Sequence, residues 1–155
     1  LVRVMPNVAA TVGQSMTALT AARATDAQVA AVRSLMDSVG RTILIDEDYF
    51  PVFQALASCS PAWYFQIVDS FARAGLKYGL SKDSAVEIAA QAMAGAAALL
   101  LAEREAGTIP AQLIDRVTSP GGTTIAGLLA AEEGGLSTAL VGAVDASIHA
   151  DSHLG

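Results

Sequence analysis

The stretch Ser119-Pro120-Gly121-Gly122-Thr123-Thr124-Ile125-Ala126-Gly127 holds the residue types best suited to chemistry in this sequence. Proline fixes one turn, and the paired glycines let the backbone bend and come close to a ligand. Two threonine hydroxyls stand where a helix is predicted to begin. The first N–H groups of a helix lack intrahelical partners and carry partial positive charge, which suits a carboxylate or a phosphate. The same residues also make an ordinary capped loop, since Ser and Thr are favoured at any helix start. Residue types alone leave both readings open, the plain loop being the more frequent.

Other segments carry weaker signals. Met5-Pro6-Asn7 follows the alternating stretch Val2-Arg3-Val4 and so lies at a strand end, where ligands of α/β sheets tend to sit. A plain turn is the alternative. Ala57-Ser58-Cys59-Ser60-Pro61-Ala62-Trp63 places small residues before a helix-starting proline, which would allow close approach of a ligand or another backbone. Cys59 could be a nucleophile, but no histidine is near it in sequence. His149 and His153 are four apart on the last predicted helix, a spacing that can bind a metal. With no third ligand beside them a solvated helix end is the better reading, and no metal site is predicted.

The elements that must position these residues fall into two parts. Residues 1–45 read as mixed α/β. Strands are predicted at Val2–Val4, Met16–Leu19 and Thr42–Ile45. Thr25 or Asp26 caps a helix to about Val39, with Val29, Val32, Leu35, Met36 and Val39 on one face and Gly40 ending it. So few strands look like the edge of a larger sheet begun upstream. From Asp46 the pattern is helical to the end. Asp46, Glu47 and Asp48 suit a helix start, and Ser60-Pro61 is the next break. A helix from Ala62 to Tyr78 has a polar stripe of Gln66, Asp69, Ser70, Arg73 and Lys77 and is otherwise apolar, hence largely buried. Ser81 starts a helix containing Ala92–Ala102, a run with no polar side chain, and the cover expected for it is a second copy of the same helix. That run is well short of the ~20 residues a membrane span needs. Shorter helices follow at Ala111–Val117, after Gly122 to about Glu133, and from Leu136 to about His153.

The net charge is −6 and the nine Lys and Arg are scattered, which argues against nucleic acid or an anionic membrane surface as a partner. The single cysteine, Cys59, has no internal partner, so a reducing, cytoplasmic setting is expected. The sequence does not begin with Met and reads as a fragment.

Taken in order, these pieces resemble pyrroline-5-carboxylate reductase over essentially the whole chain. The matching stretches are Val2–Asn7, Val12-Gly13, Pro61-Ala62 with the long helix to Gly79-Leu80, Gln91 with Gly95-Ala96-Ala97, and Val117–Leu128. The last is the family's most specific signature. The resemblance implies a mainly α chain, in which residues 46–155 are a C-terminal helical dimerisation and substrate-binding domain of the 6-phosphogluconate dehydrogenase-like type. Residues 1–45 are then the end of a Rossmann-type domain that binds NADPH or NADH. It implies reduction of 1-pyrroline-5-carboxylate to L-proline in proline biosynthesis, by a homodimer or a larger ring. Ser119, Gly121, Gly122, Thr123 and Thr124 would hold the substrate, with backbone N–H groups around Ser119, Gly122 and Thr123 on its carboxylate and the Thr124 hydroxyl at the ring nitrogen. Met5, Pro6 and Asn7 would lie near the nicotinamide.

The sequence also departs from the family. Its S-G-S-G-P segment appears here as Ala57-Ser58-Cys59-Ser60-Pro61, with both glycines replaced by serine, and Trp63 stands for its tyrosine. An acidic residue that supports the signature serine would align near Gly107, where only Glu103 and Glu105 are close. No G-x-G-x-x-G nucleotide loop is present, so these residues by themselves are expected to be inactive. The second reading is a divergent relative that keeps the dimer scaffold with altered or no chemistry.

Overall fold

A computed structural model describes residues 1–153. There are two compact units, one of Leu1–Trp63 with the chain from Val141 onward, the other of Tyr64–Leu140.

The first unit holds a three-stranded sheet of β1 (Val2–Met5), β2 (Ser15–Ala21) and β3 (Gly40–Leu44), in that order. β1 runs antiparallel to β2, and β2 parallel to β3. A parallel pair needs a crossover, which α1 (Asp26–Asp37) supplies. Thr25 starts α1 with a reciprocal cap: its hydroxyl accepts from Gln28 N–H, and the Gln28 side chain accepts from Thr25 N–H. Val29, Val32, Met36 and Val39 are half-buried as expected, but Leu35 points to solvent. Gly40 does not cap the helix. It opens β3, and a Cβ there would lie 2.0 Å from the Ser15 carbonyl oxygen. Close approach of two strands, not a helix end, requires this glycine.

The core of this unit is Ala18, Phe50, Phe53 and Ala57, with Met5, Met16 and Ile45 packed against it. The Arg3 guanidinium lies 4.4 Å from the centre of the Phe50 ring and pairs with Glu47. After a short 3₁₀ turn at Glu47–Tyr49 comes α2 (Phe50–Phe53), then a π-helical turn at Gln54–Cys59, then α3 (Ser60–Lys77). The helix break expected at Ser60-Pro61 is absent, and Pro61 sits inside a continuous helical run.

The chemistry of proline accounts for the π turn. Pro61 has no N–H, and its ring would strike the carbonyl four residues back, that of Ala57. An extra residue in the preceding turn relieves the clash, and Ser60 N–H donates to Ala55 O, five residues back. Two carbonyls then lack regular donors. Leu56 O accepts from the Ser60 hydroxyl at 2.7 Å, and Ala57 O accepts from Asn7 Nδ2–H at 2.9 Å. The Ser58 hydroxyl is fully buried with no partner among the described residues. An orphaned buried hydroxyl destabilises a fold, so Ser58→Ala is expected to raise the unfolding free energy by about 1 kcal/mol. Urea denaturation checks this, and a loss of stability would mean that the hydroxyl is bonded.

In the second unit α3 ends in a Schellman cap. Gly79 is left-handed at φ 95°, Leu80 N–H donates to Gly75 O and Gly79 N–H to Leu76 O. Ser81 caps α4 (Lys82–Glu103), its hydroxyl accepting from Ser84 N–H. α5 (Pro110–Val117) and α6 (Thr123–Glu133) follow, and α7 (Leu136–Ser152) begins here and continues into the first unit. The helix from Lys82 through Ala106 is 25 residues long, and by length and composition it could cross a membrane. The sequence expectation counted only the uninterrupted run and missed the flanking turns. Nor is α3 buried within the chain as expected. Among residues 64–140 only Ala72 and Ala85 are buried, while Phe65, Phe71 and Ile88 are 68%, 63% and 59% exposed. Neither helix has a neighbour in its own unit large enough to cover it.

Candidate functional site

The signature loop lies in the second unit. Ser119 to Gly122 form a type II turn, closed by Gly122 N–H donating to Ser119 O at 3.0 Å, with Pro120 and Gly121 as its central residues. Gly121 has φ 69°, which a type II turn asks of its third residue. A Cβ on Gly122 would lie 2.4 Å from Ser119 Oγ, so this glycine makes room for the serine hydroxyl. Its N–H is spent in the turn.

α6 begins immediately after. Gly122 occupies the N-cap position and offers no side-chain acceptor, and the first turn contains no acidic residue. The N–H groups of Thr123 and Thr124 therefore have no helical acceptor. The hydroxyls of Ser119, Thr123 and Thr124 make no hydrogen bond among the described residues, and all three residues are exposed. Unclaimed N–H groups, free hydroxyls and the positive end of a helix make a cradle for a small anion. α5 carries this loop, and Glu103 anchors α5. The Glu103 carboxylate accepts from Arg116 at 2.7 and 2.8 Å and from the Thr108 hydroxyl at 3.1 Å. The Arg116 hydrogen bond holds the Glu103 carboxyl below its ordinary range. Glu103 is thus committed to the scaffold.

The strand-end residues lie in the first unit. Met5 packs against the core, while Pro6 is exposed. Asn7 is heavily engaged. Its N–H donates to Ser15 Oγ, which in turn bonds Thr17 Oγ1 in the interior. Its Oδ1 accepts from Ala9 and Met16 N–H, each at 3.3 Å, and its Nδ2–H donates to Ala57 O. What this strand end can show a ligand is an uncharged, apolar edge with Pro6 and Val8 exposed. The two serines in place of glycine turn inward: Ser60 is 4% exposed, and the Ser58 hydroxyl is buried. Neither hydroxyl stands where a ligand could meet it.

Cys59 is a half-buried free thiol. The His153 ring bonds the His149 carbonyl at 2.7 Å. Among the described residues no group of three His, Cys, Asp or Glu side chains could hold a metal. Sequence reasoning missed the Asn7–Ala57 bond. The only hint of it was a proline inside a helical run.

Residues 47–154 match the family model described as pyrroline-5-carboxylate reductase dimerisation. The chain is 39% identical over 157 residues to the pyrroline-5-carboxylate reductase of Thermus thermophilus, covering 100% of this chain and 58% of that protein. It superposes on the pyrroline-5-carboxylate reductase structure from Coxiella burnetii with TM-score 0.92 and 31% identity, over 99% of this chain and 57% of that one. The pyrroline carboxylate reductase of Plasmodium falciparum with NADP bound gives TM-score 0.87 and 26% identity, over 99% and 61%. The chain spans about half the length of the curated relatives it matches.

Proposed function

This chain belongs to the pyrroline-5-carboxylate reductase family, and we propose that the protein carrying it reduces the ring C=N bond of 1-pyrroline-5-carboxylate to L-proline with NADPH or NADH. The observation that carries this reading is the free anion cradle at the start of α6. The substrate is a small ring bearing one carboxylate, and the cradle offers N–H groups and hydroxyls with no opposing acid. In this reading Ser119, Thr123 and the start of α6 hold the carboxylate, Gly121 and Gly122 shape the turn that sets the Ser119 hydroxyl beside them, and the Thr124 hydroxyl meets the ring nitrogen.

The uncharged edge at Met5–Asn7 fits the nicotinamide end of the cofactor, because nothing there would clash with a neutral ring. The pyrophosphate needs a G-x-G-x-x-G loop between a strand and a helix, and this sequence has no such motif. When bound, the cofactor supplies hydride to the imine carbon. The chain's own contribution is to orient the ring and to hold a proton at its nitrogen. Two copies pair through the exposed faces of α3 and α4, and pairs can build a larger ring.

The test is oxidation of NADPH and NADH by the complete protein with 1-pyrroline-5-carboxylate. Steady turnover to proline is expected. A folded protein that binds nucleotide and leaves this substrate unreduced overturns the proposal.

A further inference from the structure

We propose that Asn7 is a positioning residue: its side-chain amide replaces the N–H that Pro61 lacks, and so fixes the π turn, with Ser58 to Trp63, against the end of β1. One side chain joins three places. Oδ1 holds the turn after β1 through Ala9 N–H and the start of β2 through Met16 N–H. Nδ2 holds Ala57 O, the carbonyl that would face Pro61 in a regular α-helix. Ala57 is 7% exposed, so with Asn7 in place its carbonyl is shielded from bulk water and takes its hydrogen bond from the protein. The Asn7 N–H is itself tied to the buried Ser15–Thr17 pair, so the clamp stands on the interior of the sheet.

The π turn needs such a clamp. It leaves the Ser58 hydroxyl without a partner among the described residues, whereas the hydroxyls of Ser60 and Ser70 each find the carbonyl four residues back. Loss of the extra residue from the turn would rotate the following residues by about 100° about the helix axis. The segment from Ser58 to Trp63 would then present different side chains to the strand end that carries Met5 and Pro6. Asn7 thus acts on that edge through the backbone of the π turn, rather than by touching a ligand with its oxygen. The consequence for turnover rests on the reductase reading above; the clamp itself does not.

The test is a double-mutant cycle in the complete protein. Asn7→Asp keeps an acceptor for Ala9 and Met16 N–H but turns an oxygen toward Ala57 O. Amide hydrogen exchange across residues 54–63 is expected to speed up about tenfold or more, with β2 unchanged. kcat is expected to fall about tenfold, with KM for the nicotinamide cofactor within about twofold of wild type. Pro61→Ala removes the ring and lets the turn close as a regular α-helix, in which the residue 61 N–H donates to Ala57 O; in that background Asn7→Asp should change exchange by less than about twofold. If Asn7→Asp does not fold, Asn7→Ser, too short to reach Ala57, takes its place in both backgrounds. Unchanged exchange in the single variant, or an equal effect with and without Pro61, overturns the proposal. A rise in cofactor KM with no change in exchange would instead make Asn7 a direct ligand. A wild type that exchanges as expected but does not reduce 1-pyrroline-5-carboxylate would sink the reductase reading and leave the clamp standing.

Discussion

Thr124→Val is expected to lower kcat by about 100-fold, an effect the size of losing one preorganised hydrogen-bond donor. The unfolding midpoint should move by no more than about 2 °C. The two expectations follow from the same geometry. The Thr124 hydroxyl makes no hydrogen bond among the described residues and the residue is exposed, so the fold loses nothing when a methyl replaces it. Valine keeps the β-branched shape in the first turn of α6, so the helix start keeps its form. What disappears, on the proposed role of Thr124, is the polar group that would meet the ring nitrogen. As hydride reaches the imine carbon, that nitrogen gains an electron pair and needs a proton held in place. On the same proposal, carboxylate binding by the N–H groups and by Ser119 and Thr123 would remain, so KM should change less than kcat. Equal kcat in wild type and variant would remove Thr124 from the chemistry.

The loop was legible because its geometry is local. Ser119, Pro120, Gly121 and Gly122 specify a type II turn through residue types alone, and the helix start follows from what they leave free. The helix limits at Gly79, Ser81, Pro110 and Leu136 were legible for the same reason: each cap is written within a few residues.

The misreadings are non-local. Gly40 looked like a cap because glycine after an apolar helix usually is one; the cause is Ser15, 25 positions earlier, lying against its backbone. Pro61 looked like a helix start because proline suits a first turn. The donor that lets the helix run through it comes from Asn7, 50 residues away in sequence. Asn7 itself sat in a segment whose resemblance implied cofactor contact, and its amide proves to be occupied by protein. The two serines stand where the family has glycines, and their hydroxyls are turned inward at a π turn that no pattern of residue types announces. Burial of α3 was predicted from its circumference, which shows that a helix must be covered but not that its own chain covers it.

That cover is the subject of the second large effect. The protein carrying this chain is expected to be at least dimeric at micromolar concentration by light scattering, with a second copy of α3 and α4 as the expected covering surface. With only Ala72 and Ala85 buried among residues 64–140, this unit removes too little apolar surface from water to offset the entropy of ordering its helices. A partner of the same sequence offers the same apolar, alanine-rich faces, and small side chains allow close helix approach. A charge placed on α4 separates the possibilities. Leu99 is 49% exposed in the single chain, so in a monomer Leu99→Asp should cost no more than about 0.5 kcal/mol. Inside a dimer interface the carboxylate would be stripped of water with no partner, and several kcal/mol would be lost, about enough to dissociate the pair. Because the unit has almost no core of its own, dissociation and unfolding should coincide, and the melting temperature should rise with protein concentration. A monomer that melts cooperatively at a concentration-independent temperature, unaffected by Leu99→Asp, would show that the exposed faces of α3 and α4 are stable in water and would remove the case for pairing.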